Sequence, residues 1–366
     1  MDRWVGIGAL IVAATILLTA AYRSKPKTPI IDSRFAQVQV WTGGEPKVIA
    51  LPIRYSNGVF LVTLDIGGNK IDAVVDTGSQ RLVVASHTCA GCNGGSIPPP
   101  PRGRRAHPAS PVRLFYGTQN ETVEWGVYDV KTYGVDITSP MRPPGGVVEA
   151  TVGVIYPKID VAVTMERTGS SNYNIIGLSM PNKTSAHPSV LEMFMGPLQQ
   201  LSFTVVIWCH VGWLVFGPPP QQYGFNYVPF LRDPVARGFF YQFYVIEAES
   251  LWYGEAQISG PLYVMIDTGS NMLSLPAASM QKAQSAGLGK KSHDSLVVKM
   301  KTTEGNTAVM SFPHGVYTWD DGTLLVEEEP PNSQIDRPLA VIGSLFMQNF
   351  AMHFDVANAR IGIAEL

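Results

Sequence analysis

Residues 73–79 read Ala-Val-Val-Asp-Thr-Gly-Ser, and residues 264–270 read Val-Met-Ile-Asp-Thr-Gly-Ser. Each copy is an apolar, strand-like run that leads into residue types that turn a chain. At residue frequencies near ~6%, a given tetrapeptide turns up in a chain of this length with odds of about 1 in 200. Two in-phase copies behind apolar runs bring chance to roughly 1 in 10,000 or less. A second element trails each copy. Ile175-Ile176-Gly177 ends 101 residues after Asp76 (177 − 76), and Val341-Ile342-Gly343 ends 76 after Asp267 (343 − 267). Each precedes a short stretch of helical pattern. A chain that carries the same strand, loop and helix set twice is expected to fold as two similar lobes.

Composition agrees with many short strands. The chain has 366 residues with 35 Gly and 28 Pro, and only 15% charged residues against a usual share of about 25%. With 45% apolar residues it is no disordered chain. A net charge of −2 offers no basic field for a polyanion, which argues against nucleic-acid binding. Three Cys are too few for a disulfide scaffold or a four-thiolate zinc site.

Residues 4–22 carry no charge, and as a helix they would span about 28 Å, close to a bilayer's hydrocarbon thickness. Trp4 and Tyr22 stand where interfacial aromatics belong. A retained anchor is favoured on length. A cleaved signal peptide, with its apolar core of about 7–15 residues and Thr19-Ala20-Ala21 as the cleavage site, is the alternative. Arg23, Lys25 and Lys27 follow the span, which by the positive-inside rule places the bulk of the chain on the cytoplasmic side. The expected organisation is an anchor or signal at 1–27, a linker or short pro-segment at 28–54, a first lobe at 55–224 and a second at 225–366. Pro218-Pro219-Pro220 marks the break between lobes. Val59–Ile66 followed by Gly67-Gly68-Asn69 and a renewed apolar run predicts a hairpin. Helices are expected at 189–194, Ala277–Ala286 and 344–350, and an exposed extended loop at 98–105.

The whole pattern resembles the pepsin-like aspartic proteases, the group that contains pepsin, cathepsin D, renin and β-secretase. The similarity runs from about residue 55 to the C-terminus. Residues 59–68 look like the family's first strand. Asp76-Thr77-Gly78-Ser79 and Asp267-Thr268-Gly269-Ser270 match its two catalytic loops. Tyr116-Gly117-Thr118 lies where the family places its flap, residues 239–246 where the second lobe opens, and residues 341–364 match the C-terminal signature. The separation of 191 residues (267 − 76) suits a two-lobed single chain.

The resemblance implies a mostly β, two-lobed endopeptidase with Asp76 and Asp267 facing each other across the lobe interface. Two carboxyls about 3 Å apart cannot both ionise, so they share one proton. One then acts as general base on a water while the other donates to the substrate carbonyl. Thr77 and Thr268 are expected to bond across the interface, Gly78 and Gly269 to allow tight turns, and Ser79 and Ser270 to donate to the outer carboxylate oxygens. Tyr116, Gly117 and Thr118 would form a mobile flap over an extended polypeptide substrate. No cofactor or metal is called for, and the protein is expected to be a monomer.

Some positions depart from the family. Gln119 stands where another Gly is usual, and Val83 replaces a Trp that bonds the flap Tyr. No basic pro-segment is evident before Val59. These departures motivate an alternative, a catalytically silent binding protein on the same fold. His87-Thr88-Cys89-Ala90-Gly91-Cys92 supplies three metal-ligand types without an obvious fourth. The family's small disulfide loop at this place implies a Cys89–Cys92 bridge, with free thiols or metal as the other readings. Cys209, in an apolar run, is expected to be buried and free. Residues 287–292 lack the spacing of a phosphate loop, and no Gly-x-Ser-x-Gly elbow occurs. Two glycosylation sequons are present, Asn120-Glu121-Thr122 and Asn182-Lys183-Thr184. The family, the implied disulfide and the sequons place the lobes on the extracytoplasmic side, against the flanking charges.

Overall fold

Strand Val59–Ile66 turns through two glycines and returns as Asn69–Asp76, with Ile66 opposite Asn69, the hairpin that the sequence predicts. The returning strand ends on Asp76, and Leu82–Ala90 leads away from it. Strand Asn174–Gly177 then threads between them, parallel to the first and antiparallel to the second, with Gly177 opposite Asp76. The second half repeats the same path. Leu339–Gly343 threads between Leu262–Asp267 and Leu273–Pro276, with Gly343 opposite Asp267. A Cβ at Gly177 would lie 2.4 Å from the Arg81 nitrogen, and one at Gly343 would lie 2.4 Å from the Met272 carbonyl oxygen. Only a residue without a side chain lets the third strand pass this close to the turn. That is the physical content of the repeated apolar-apolar-Gly element.

The structure is a computed structural model. It describes residues 30–31, 39–41, 49–56, 58–92, 94–100, 111–116, 119–136, 147–148, 152–169, 173–181, 188–195, 201–231, 242–289, 294–318, 323–330, 335–348 and 350–366. The proposed anchor at 4–22, most of the loop at 98–105, Gly117, Thr118 and the second sequon lie outside the described residues. Among the described residues, no helix is long and apolar enough to cross a membrane.

The described strands form a 14-stranded sheet, an 8-stranded sheet and a two-stranded pair. The fold is mostly β and internally repeated, as expected. The larger sheet draws on both ends of the chain. It begins at Gln39–Trp41 and Ile49–Ser56, both of which start inside the stretch read as linker, and takes in Asn226–Pro229, Phe350–Asp355 and Arg360–Glu365 beside Ser202–Trp208 and Val211–Phe216. Phe203 stacks on Phe354 at 4.6 Å between ring centroids, Tyr244 meets Phe354 edge-on at 4.7 Å, and the Tyr244 hydroxyl donates to the Leu178 carbonyl at 2.8 Å. This buried aromatic group ties the first half of the chain to the second.

Helices are few. Val190–Met195 is opened by a capping box, in which the Glu192 N–H donates to the Ser189 hydroxyl and the Ser189 N–H to the Glu192 carboxylate. Ala277–Ala286 forms as expected, closed by Gly287 in the left-handed conformation. The third expected helix is shorter than its pattern. Ser344–Met347 is a single 3₁₀ turn, because the chain must re-enter a sheet at Phe350. Cys209 also differs from expectation. It is free but exposed, at the tip of the hairpin in which Trp208 pairs with Val211, with φ of +50°. The apolar run around it is two strands joined by a tight turn, not one buried strand.

Because Phe203 carries packing between the two halves, Phe203→Ala is expected to lower the stability to denaturant by about 3–5 kcal/mol. A loss under about 1 kcal/mol would show that the aromatic group does not join them.

Candidate active site

The two Asp-Thr-Gly-Ser turns meet through their threonines. The Thr77 N–H donates to the Thr268 hydroxyl at 2.9 Å, and the Thr268 N–H donates to the Thr77 hydroxyl at 2.9 Å. Each hydroxyl then donates onward to the opposite strand, Thr77 to the Ile266 carbonyl at 2.9 Å and Thr268 to the Val75 carbonyl at 2.6 Å. All four bonds are buried, so the N–H and hydroxyl groups of both threonines are satisfied away from water.

This lock sets the carboxyl groups of Asp76 and Asp267 against each other. Asp76 is 9% exposed and Asp267 is 3% exposed. Each carboxyl accepts the backbone N–H of its own turn, Gly78 to Asp76 at 2.8 Å and Gly269 to Asp267 at 2.9 Å. The approach across the interface is tighter still. A Cβ at Gly269 would lie 2.4 Å from Asp76 Oδ1, and one at Gly78 would lie 2.8 Å from Asp267 Oδ1. The motif glycines are thus required by the opposite lobe's carboxylate.

The serines break the symmetry. The Ser79 hydroxyl donates to Asp76 Oδ2. Ser270 gives Asp267 only its backbone N–H, 3.2 Å from the Asp267 carbonyl, while its own carbonyl accepts the Ser344 N–H and hydroxyl at 2.7 and 2.9 Å. Among the described residues no Ser270 hydroxyl bond to Asp267 occurs. Burial raises both carboxyls above the ordinary 3.8. On Asp76, the Ser79 hydroxyl, the Gly78 N–H and a bond from Asp267 pull the other way. On Asp267, the charge of Asp76 adds to burial and pushes it up to about 8. Burial and mutual charge therefore favour a proton shared by the pair, with Asp267 the carboxyl pushed up further by its neighbour's charge.

The hairpin expected to form a flap is present. Val112–Tyr116 pairs with the start of Gln119–Asp136, and Tyr116 and Gln119 close it. Two groups at its base escaped the sequence reading. Trp125 lies beside Ala162, which lies beside Val83, so the indole borders the place where the family has its Trp. The Arg81 guanidinium sits 5.4 Å over the Trp125 ring and donates to the Pro188 carbonyl at 3.0 Å. Arg81 thus joins the first Asp-Thr-Gly-Ser turn to the hairpin. Behind Leu114, buried Glu121 pairs with buried Arg167 at 3.1 Å and accepts the Thr164 hydroxyl. The period-2 series Glu121, Val123, Trp125 can be read in the sequence, but nothing there places it against Arg81 or Arg167.

Cys89 and Cys92 form a disulfide, and His87 Nε2 lies 3.0 Å from the Ser96 carbonyl. The three potential metal ligands are thereby engaged elsewhere.

Residues 175–366 match the family model described as eukaryotic aspartyl protease. Among solved structures, the crystal structure of an aspartic proteinase from Irpex lacteus is similar in fold. Its TM-score is 0.63 at 15% identity, over 87% of this chain and 97% of that one. No curated protein sequence matches.

Asp267 contributes full stability while it is protonated in both folded and unfolded chains, below about pH 4. That contribution is lost as pH rises through about 8, because unfolding frees the carboxyl to ionise. Melting temperature followed from pH 4 to 8 is therefore expected to fall less steeply for Asp267→Asn than for the unsubstituted protein. Parallel curves would contradict the assignment of the proton.

Proposed function

This chain belongs to the eukaryotic aspartyl protease family, and on that premise we propose that it is an aspartic endopeptidase using Asp76 and Asp267 as its catalytic pair. The observation that carries this is the threonine-locked, buried carboxyl pair, and burial that raises both groups supports a shared proton. In this mechanism a water lies between the carboxyls and the scissile carbonyl. Asp76, the anion, takes a proton from the water as general base, while Asp267 gives its proton to the carbonyl oxygen. The resulting tetrahedral diol collapses as the Asp76 proton passes to the leaving amine and a diol hydroxyl returns its proton to Asp267. The C–N bond breaks, and the pair regains its starting state.

The substrate is a polypeptide lying extended between the lobes, by strand-like hydrogen bonding. The hairpin closed by Tyr116 and Gln119 acts as the flap, with Gly117 and Thr118 at its tip, and excludes water on closure. Arg81 on Trp125 supports it in place of the family's Trp at Val83. The enzyme acts as a monomer, anchored by residues 4–22, with its lobes on the extracytoplasmic side. The disulfide between Cys89 and Cys92 supports that side, because such bonds persist in oxidising compartments.

Cleavage of a mixed peptide library is expected to be blocked by pepstatin. It should fall by about 10²–10⁴-fold or more in Asp76→Asn and in Asp267→Asn. The high-pH limb of kcat/KM should lie near neutrality, where Asp267 loses its proton. Activity that survives either substitution would sink the mechanism.

A further inference from the structure

The flap hairpin is two-faced. Register places Val112, Leu114, Glu121, Val123, Thr164 and Arg167 together; Val112, at the start of the strand, is 41% exposed and Leu114 half-buried, and the other four are buried. The opposite face carries Arg113, Phe115, Asn120, Thr122, Glu166 and Thr168, and none of them is buried. Five of the six are polar. The exception is Phe115, which is 50% exposed and one of four exposed large apolar residues among the described residues. It stands directly opposite Asn120. Asn120 is exposed and opens the sequon Asn120-Glu121-Thr122, with a Thr at the third position and no Pro between.

The strand that carries Phe115 is also the last of its sheet. Val112–Tyr116 pairs only with Gln119–Asp136 among the described strands, which leaves its outer edge open. An open edge with an exposed aromatic ring and Val112 at 41% exposure invites pairing with another chain, and proteins blunt such edges with charge, bulges or a cover. Here the cover has an attachment point one cross-strand position from the ring.

We propose that Asn120 carries an N-linked oligosaccharide whose first sugars lie over Phe115 and screen the outer face and edge of the flap hairpin. The proposal rests on the extracytoplasmic placement of the lobes. Attachment joins Asn120 Nδ2 to the anomeric carbon of the first N-acetylhexosamine. The bond between that carbon and a lipid pyrophosphate carrier breaks, the lipid pyrophosphate leaves, and the amide releases one proton. The apolar C–H face of a hexose suits an aromatic ring that is half exposed among the described residues. The glycan lies opposite the face on which Glu121 pairs with Arg167.

The test expresses the full chain in a eukaryotic secretory host, with an added C-terminal sequon as a reporter of compartment. Peptide N-glycosidase is expected to shift the unsubstituted protein. N120Q and T122A should each lose one mobility step while the reporter step remains. The deglycosylated or N120Q protein should self-associate more readily by light scattering, and F115S in the N120Q background should reverse this. A glycosylated reporter with no step lost in N120Q and T122A would overturn the Asn120 site and leave the compartment standing. An unglycosylated reporter would overturn the compartment, and this site with it. A step lost without any change in self-association would overturn the covering role.

Discussion

The reciprocal bonds between Thr77 and Thr268 are the constraint on which the site depends. Each hydroxyl accepts the other turn's N–H and donates to a strand carbonyl of the other lobe, so the two turns cannot separate without breaking four buried hydrogen bonds. The lock also fixes what the neighbouring residues can be. Once the turns are held this close, the opposite carboxylate fills the space where a Cβ would stand at Gly78 and Gly269. The threaded strands behind hold the turns from the other side, with Gly177 opposite Asp76 and Gly343 opposite Asp267. Thr, Gly and the trailing Gly are one packing solution written twice.

Two equal turns nevertheless produce unequal carboxyls. The Ser79 hydroxyl donates to Asp76, a bond with no Ser270 counterpart among the described residues, and the Ser270 carbonyl accepts both the N–H and the hydroxyl of Ser344, the first residue of the 3₁₀ turn that follows the threaded strand. In the first lobe that place is taken by Leu178 and Ser179, whose N–H groups bond the Asp76 and Ser79 carbonyls at 2.6 and 2.7 Å. A small difference in how the chain leaves each threaded strand accompanies a difference in what bonds the two carboxyls. The chemistry needs that inequality, because an acid and a base must be present at the same time.

The fold was legible where local pattern and long-range packing ask for the same residue. Asp76, Asp267, the motif glycines, the Gly67-Gly68 hairpin and the Ala277–Ala286 helix all sit at such places. The disulfide followed from resemblance, not from spacing. The failures share a cause. Cys209 and the 344–350 stretch have apolar patterns whose outcome is decided by which strand they must pair with, and periodicity carries no partner. Arg81 over Trp125 and Glu121 with Arg167 were invisible for the same reason, since each joins residues 44 and 46 positions apart (125 − 81; 167 − 121). Ser270 shows the limit of the repeat itself, because matching sequence did not give a matching hydrogen bond.

The most direct test of the account is a double-mutant cycle on kcat/KM for a cleaved peptide, using Thr77→Val, Thr268→Val and the double substitution. A lock that works as one unit predicts strong non-additivity, with the double variant about as slow as either single one. Losses that simply add would contradict the claim that the two threonines together create the carboxyl pair.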